Sequence, residues 1–489
     1  MEPLRRRIGL FTAIVALALL TRLPFLLTAD CINSDACVVP LMARHFAQGE
    51  FTPYFWGQRY MAAFEPLLLT PLAFFGLATA LASVVVSFLI VLVQLYQVTR
   101  LARLVGAPVA VSALLFAVQA AVPASHQMAL WGARHASTCL GLWALERALS
   151  GKLANGRGAL ATGAILGLAF FGDHLTVVFL LPVLYAAWQR RTHLRLVSGV
   201  FPWRLLDAIL STTSAAGRHS LPQDPRDWLR GVRLLTTSAL PRVLGMEWLD
   251  PSVRVQPGVL WVLLSLCGAL ALACVAWFAY RELAARDPAL LGVRLLAATL
   301  LLAGICHAIG ALDEESARYL LLGFAPFAVL VAWLAARRGP LIGALLVIGV
   351  LAPRLPSLYR MQGAYAGRGA YCRQELAQMI GAVDRLGARA VFADYWDAYR
   401  LALASNERWP VGLALRANRH PCWNHWARAA TPVAYLAPSS RHPIYEKLER
   451  AVPGVRFEEI GSRRIALVPG AVAGLDGPEG REPPAACRR

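Results

Sequence analysis

Two carboxylates near the N-terminus stand beside long apolar segments. Asp35 lies in CINSDACVVPLMARHFAQGE, just after the first apolar segment, and Glu65 precedes Pro66 at the start of the next one. Acidic residues close to membrane depth are energetically costly, so they are functional candidates by default. The chemistry open to a carboxylate in such a place is proton transfer with a reacting group.

Each acid also has a purely structural explanation. Residues 33–35 all suit the N-cap of a helix that would end at Gly49. Pro40 is awkward in that helix if Asp35 is the cap, because proline prefers the first turn. Glu65 is equally well explained as a solvated acid of a loop whose aromatic residues suit a membrane interface. Capping and chemistry are compatible for Asp35, so both explanations stay open.

Further polar residues stand at the outer ends of later apolar segments. They are Arg134 and His135 in ALWGARHAST, Asp173 and His174 in FFGDHLTVVF, and Arg318 and Tyr319 in ALDEESARYL. Asp173 is equally suited to cap the helix that follows it. Arg318 has acidic neighbours at 313–315 and could simply pair with them.

Metal binding is left open by the sequence. His126, His135 and His174 would have to meet in space, because no sequence spacing supports a shared metal ion.

The nine cysteines show no zinc spacing either. Cys31 and Cys37 share one loop, and Cys372 and Cys422 share the C-terminal region. Two disulfides are possible if these regions face an oxidising compartment, and unpaired thiols are as compatible with the sequence.

The elements that must position these residues are membrane helices. The chain has 489 residues, of which 57% are hydrophobic and only 16% charged, and its mean hydropathy is +0.51. Soluble domains carry roughly 25% charged residues. We therefore predict a polytopic α-helical membrane protein with about eleven transmembrane helices. The predicted spans cover 1–27, 78–98, 107–123, 135–150, 158–172, 174–188, 194–212, 257–281, 290–311, 317–336 and 339–357.

Arginine-rich loops set the orientation, because such loops stay in the cytoplasm. The loop 29–65, the loop at about 212–256 and the C-terminal region then face the outside. The segment 194–212 is a poor span, since it contains Arg204 and Asp207, and only the alternation of sides requires it. Within the second loop, helical spacing predicts an interfacial helix.

The net charge of +19 does not indicate nucleic-acid binding. Lys152 and Lys447 are the only lysines, so the excess reflects an arginine-rich composition and cytoplasmic loops. No basic run is interleaved with aromatic residues, as a nucleic-acid site would require.

The region 370–470 differs in pattern from the rest of the chain. Short strand-like runs alternate with helix-like ones, which is typical of a small α/β domain. Asp394, Tyr395, Trp396 and Asp397 fall where a strand ends and a helix begins, where α/β folds often bind ligands. Strand-end packing and capping explain them as well. The Pro/Gly-rich residues 471–489 are predicted to be disordered.

The N-terminal loop also resembles a known superfamily. The stretch NSDACVVPLMARHFAQGEFTPYFWGQRYMAAFEPLLLTPLAFFG is similar to the first external loop of GT-C glycosyltransferases, and ARYLLLGFAPFAVL resembles a late span of the same enzymes. Their relatives include bacterial aminoarabinose transferases, protein O-mannosyltransferases and the RgtA-like group. The resemblance covers about 1–360. This sequence has Ala36 where the family usually has a second acid, which weakens any two-acid metal site.

The resemblance implies an enzyme that moves a sugar from a polyprenyl-phosphate donor to an envelope acceptor, at the outer face of a bacterial inner membrane. In that enzyme Asp35 would be the base and Glu65 would orient hydroxyl groups. Arg318, beside Tyr319, would bind the phosphate. Contacts to the donor are expected from Asp173, His174 and Arg134. A lipid-linked sugar transporter and a non-catalytic envelope scaffold are the alternatives.

Overall fold

The computed structural model describes residues 2–475 apart from 59, 214–223, 285–286, 312–313, 366, 416–417, 421 and 440–441. A helical part extends to Tyr365, and a smaller α/β part begins at Arg368. The helices of the first part are α1 (Glu2–Leu27), α2 (Ser34–Ala47), α3 (Phe64–Ala73), α4 (Ala80–Val105), α5 (Val109–Ala117), α6 (Ala121–Gln127), α7 (Arg134–Leu149), α8 (Gly156–Gly172), α9 (Val177–Gln189), α10 (His193–Thr213), α11 (Pro225–Leu234), α12 (Leu240–Leu244), α13 (Val259–Ala284), α14 (Leu291–Gly310), α15 (Phe324–Arg337), α16 (Pro340–Leu351) and α17 (Arg354–Tyr365).

The predicted fold class, a polytopic helical membrane protein, is confirmed. Within the described ranges, six helical stretches are long and apolar enough to cross a membrane, or up to seven if the bent pair α5 and α6 is one span. The expected number of about eleven includes shorter helices such as α7 and α8, and it stays a prediction.

The predicted span 107–123 is broken rather than continuous. α5 and α6 meet at an angle of 86°, and a break at this depth leaves backbone carbonyls that need donors. The buried Arg22 supplies them, because it donates to the carbonyl of Ala117 at 3.1 Å and to Gln127 at 2.7 Å. The guanidinium of Arg354 reaches the carbonyl of Val118 at 3.5 Å. Buried arginines therefore stabilise the break.

The segment that looked like a poor span forms helix α10, and it packs closely on α8. A Cβ on Gly163 would lie 2.0 Å from the carbonyl oxygen of Leu196, so only glycine allows this approach. The polar residues of the segment are paired, since Asp207 lies 2.7 Å from Arg204 and accepts the hydroxyl of Tyr54 at 2.7 Å.

The predicted C-terminal α/β domain is present. Its elements are α18 (Arg368–Arg385), β1 (Ala390–Ala393), α19 (Tyr395–Ala404), β2 (Val411–Leu413), α20 (Trp423–Ala429), β3 (Val433–Pro438), α21 (Pro443–Ala451), β4 (Phe457–Ile460) and β5 (Arg463–Val468). The strands form one sheet in the order β2-β1-β3-β5-β4, with β1 parallel to β2 and β3, and β5 antiparallel to β3 and β4.

The C-terminal boundary of the domain lies beyond the predicted one. Leu475 is buried, and its carbonyl accepts the amide of Leu415 at 2.8 Å. Residues 471–475 therefore belong to the folded domain, and the rest of the predicted tail lies outside the described residues.

A disulfide joins the two parts of the chain. Cys31 pairs with Cys372, with an S–S distance of 1.98 Å across 341 residues of sequence. Of the alternatives that the sequence left open, pairing within each region does not occur for Cys31 and Cys372, and Cys37 is a buried free thiol. Local spacing could not reveal a partner that the fold brings together.

Candidate active site

Asp35 lies in the first turn of α2, but it does not cap the helix. Asn33 is the cap, and its side chain accepts the amide of Ala36 at 2.9 Å. Oδ1 of Asp35 accepts a hydrogen bond from Nη2 of Arg419 at 2.5 Å and another from the hydroxyl of Tyr395. Among the described residues, Oδ2 has no hydrogen-bond partner, and the side chain keeps 12% of its surface exposed. The carboxylate is thus oriented through one oxygen while the other stays available.

Arg419 comes from the C-terminal domain and was not predicted. It lies in the loop after β2, where its Nε also donates to the hydroxyl of Tyr395 at 2.9 Å. Burial alone would lower the pKa of Arg419, but the neighbouring Asp35 carboxylate raises it above the usual value. For the Tyr395 hydroxyl, burial has the opposite effect and raises the pKa. Arg419 therefore stays charged and Tyr395 stays protonated at neutral pH.

Glu65 belongs to the first turn of α3, and its fully buried side chain lies against the N-terminus of α7. Its carboxylate accepts the backbone amides of Trp131 at 2.6 Å and of His135 at 2.7 Å. The first amides of a helix have no partners within the helix, and a negative charge there is favourable. Glu65 therefore has no exposed surface for a sugar hydroxyl, and this geometry favours a positioning role over the predicted orienting one.

We expect Glu65→Gln to destabilise the fold, because one amide oxygen and an NH₂ group replace two acceptor oxygens. A buried backbone amide left without an acceptor costs about 1–3 kcal/mol. Thermal unfolding of the purified protein measures the change. As a control, Glu446→Gln alters an exposed acid and should leave the melting temperature as it is. An unchanged melting temperature for Glu65→Gln would contradict the anchoring role.

Arg134 and Asp173 neutralise each other in the protein interior. Nε of Arg134 donates to Oδ2 of Asp173 at 2.9 Å, and both residues are almost completely buried. Asp173 also accepts the amide of Leu175 at 3.0 Å, so it caps the following turn as well. The guanidinium of Arg134 lies 5.0 Å from the ring centre of Tyr319. The pair is therefore too buried to offer surface to a donor.

Arg318 is partly buried, and it has no acidic partner among the described residues. Its guanidinium stacks on Trp131, 4.9 Å from the ring centre, and lies 5.6 Å from that of Tyr319. Its Nε is buried without a hydrogen-bond partner. The alternative pairing with acids at 313–315 concerns side chains outside the described residues. Aromatic rings hold this cation in place, and its Nε has no partner among the described residues.

The histidines proposed as a metal site have separate partners. Nε2 of His135 lies 2.8 Å from the carbonyl of Ala129, and His174 faces Asp207 at 3.5 Å. His126 lies near Arg318 and other arginines, where a cation would be repelled. Among the described residues these three histidines form no ligand group.

Tyr60 connects the predicted residues into one neighbourhood. Burial raises its pKa to about 12, and the charges of Arg134 and Arg419 act on it in the opposite direction. Tyr60 is therefore near both Arg419 and Arg134.

A cavity of about 270 Å³ with both polar and apolar walls opens beside this neighbourhood. Its walls include Asn33 at the start of α2, His126, Trp131 and Arg242. Trp131 is also the ring on which Arg318 stacks. None of Asp35, Glu65 and Arg318 is a wall residue of this cavity. Glu65 and Arg318 both contact Trp131, and Asp35 lies two residues beyond Asn33.

Two solved structures resemble this chain along nearly its whole length. The crystal structure of ArnT from Cupriavidus metallidurans bound to undecaprenyl phosphate aligns with a TM-score of 0.57 and 12% identity, over 96% of this chain and 99% of that one. Its apo state aligns with a TM-score of 0.61 and 14% identity, over 97% of this chain and 100% of that one. No protein-family profile and no curated protein sequence matches the chain. The chain therefore has the GT-C fold of these ArnT structures.

Proposed function

We propose that this protein is a membrane glycosyltransferase that moves a sugar from a polyprenyl-phosphate donor to an envelope acceptor. The observation that carries the proposal is the pair of groups that the fold leaves available. Asp35 is oriented through one oxygen only, and Arg318 stacks on aromatic rings without an acid partner among the described residues. Such a carboxylate and such a cation suit the two ends of a glycosyl-transfer site, where one takes a proton and the other stabilises the leaving phosphate.

Arg318 and the cavity beside it would receive the donor phosphate. A guanidinium matches phosphate oxygens with paired donors, and the cavity wall adds Arg242, which also pairs with Asp250. A second cavity of about 540 Å³ is lined almost entirely by apolar residues. Its walls include Val243 and Leu320, which follow Arg242 and Arg318 closely in sequence. The polyprenyl tail would lie there.

A variant at Gly304 tests where the polyprenyl tail of the donor lies. It lines the apolar cavity, and a Cβ at this position would meet nothing within 4 Å. We expect Gly304→Trp to fill the cavity and raise the KM for a long-chain donor about 10-fold or more, since each buried CH₂ contributes about 0.8 kcal/mol. A donor with a short prenyl chain should be affected much less. Equal effects on both donors would place the tail elsewhere.

The chemical step would be a displacement at the anomeric carbon. An acceptor hydroxyl attacks, the bond to the phosphate oxygen breaks, and the polyprenyl phosphate leaves with its electron pair. Oδ2 of Asp35 would take the hydroxyl proton, while Arg419 and Tyr395 hold Oδ1. Arg318 would stabilise the charge that grows on the leaving phosphate.

The disulfide supports an outward-facing site. Disulfides persist in oxidising compartments such as the bacterial periplasm, and the bond between Cys31 and Cys372 links the loop that carries Asp35 to the C-terminal domain. Both would therefore lie outside the cytoplasm.

An assay with reconstituted protein and a panel of polyprenyl-phosphate sugars tests the proposal. An enzyme forms glycosylated product and releases polyprenyl phosphate. A transporter only moves the donor across the bilayer, and a scaffold does neither. Movement without release would overturn the proposal.

A further inference from the structure

We propose that His45, Glu50 and His420 form a binding site for a divalent metal ion of the zinc type. The site lies where the end of α2 meets the C-terminal domain, and it does not depend on the proposed function. It would clamp the two parts of the chain together.

The three residues already place their ligand atoms in one small volume. One ligand atom from each lies within 4.8 Å of the others, and Nδ1 of His45 is 2.5 Å from Oε2 of Glu50. Zinc binds nitrogen and carboxylate oxygen at about 2.0–2.2 Å in a tetrahedral arrangement. Tetrahedral ligands at those distances lie about 3.3–3.5 Å from one another. Nδ1 of His45 and Oε2 of Glu50 would therefore move apart by about 1 Å to admit the ion. The fourth position would be left for water.

A second carboxylate stands behind the first histidine. Nε2 of His45 lies 2.7 Å from Oε2 of Glu407. Histidine ligands of metals commonly donate their other N–H to a carboxylate, which fixes the tautomer and makes the ligand nitrogen more basic. Glu407 would therefore hold the proton of His45 on Nε2 and leave Nδ1 for the metal.

Aromatic packing fixes both histidine rings. His45 packs edge-on against Trp56 with ring centres 5.0 Å apart, and His420 stacks on Trp423 at 5.1 Å. Both histidines are 4% exposed. Glu50 is the opposite, with 51% of its side chain exposed, so it gives an ion a route from solvent. Two rigid nitrogens and one accessible carboxylate match a site that loads after folding.

The position of the site gives the metal a consequence for Asp35. His45 lies on the same helix as Asp35, and His420 directly follows Arg419, whose guanidinium holds the Asp35 carboxylate. A metal bridging His45 and His420 would fix Arg419 against Asp35. The disulfide between Cys31 and Cys372 ties the same two parts at a separate place.

Zinc content and affinity of the full-length purified protein test the proposal. The protein, free of any histidine tag, is stripped with a chelator, reloaded with ZnCl₂ alone and measured by elemental analysis and competition titration. We expect about one equivalent of zinc. Glu407→Gln should weaken binding about 10-fold to 100-fold, as loss of such a supporting carboxylate does elsewhere. Glu50→Gln, which changes an exposed side chain and should fold normally, should weaken binding at least as much.

Glu446→Gln serves as the matched control, because Glu446 is an exposed acid of the same domain and should leave zinc binding unchanged. Cobalt in place of zinc gives a second readout, since a tetrahedral site produces visible absorption bands that Glu50→Gln should abolish. Less than about one tenth of an equivalent after reloading, or Glu50→Gln with the affinity of the unmodified protein, would overturn the proposal.

Discussion

Asp35→Asn should lower the rate of sugar transfer about 100-fold to 10,000-fold, the range that a general base contributes. Asparagine keeps the shape of the side chain, and its oxygen can still accept the hydrogen bonds of Arg419 and Tyr395. It cannot take the proton of an acceptor hydroxyl. The rate of polyprenyl-phosphate release at saturating donor and acceptor measures the effect.

Two further variants separate catalysis from structure. Arg419→Gln breaks the same ion pair but leaves the Asp35 carboxylate in place, so it should destabilise the fold. Its fold-loss in transfer rate should be less than one tenth of the fold-loss caused by Asp35→Asn. Asp394→Asn alters an acid that caps α19, where asparagine caps equally well, so transfer should be unaffected. If Asp35→Asn and Arg419→Gln lost activity equally, the ion pair and not the base would be the essential feature.

Arg318→Met should raise the KM for the donor about 10-fold to 100-fold, because a hydrogen bond to a charged group contributes about 1.5–3 kcal/mol. Arg318 has no acidic partner within the described residues, so the variant should unfold at nearly the unmodified temperature. Initial rates over a range of donor concentrations, together with thermal unfolding, give both quantities.

Arg337 provides the control variant for Arg318, because it lies at the other end of the apolar stretch Ser316–Arg337. Arg337 stacks on Trp333 at 5.0 Å, as Arg318 stacks on Trp131, but its acid partner Glu282 lies 3.4 Å away. Arg337→Met should leave the KM unchanged. A KM for Arg318→Met equal to that of the unmodified protein would remove Arg318 from the phosphate site.

Regular elements were predictable from the sequence where local pattern determines them. The apolar run 257–281 became α13 (Val259–Ala284), and the strand-like runs of the C-terminal region became β1, β3, β4 and β5. Strand β2 was not predicted, because three residues are too few to show alternation. The break between α5 and α6 was not predicted either, because the donor that satisfies its carbonyl at Ala117 is Arg22, 95 residues earlier.

The same division holds for the candidate site. Asp35 and Arg318 became candidates through their position beside apolar segments and through the family resemblance. The environment of Glu65 was not, since its amide donors lie 66 and 70 residues along the chain. Arg419 had no local signal, because its partner Asp35 is 384 residues away. The sequence pattern thus indicates which polar groups are energetically costly to place near a membrane, whereas the tertiary fold determines what each of them contacts.

The most direct test is a single-turnover assay of the purified protein with a polyprenyl-phosphate sugar in liposomes, alongside the Asp35→Asn variant. The proposed mechanism predicts release of polyprenyl phosphate by the unmodified protein and release at least about 100-fold slower by the variant. Release at equal rates from both proteins would contradict the assignment of Asp35 as the base.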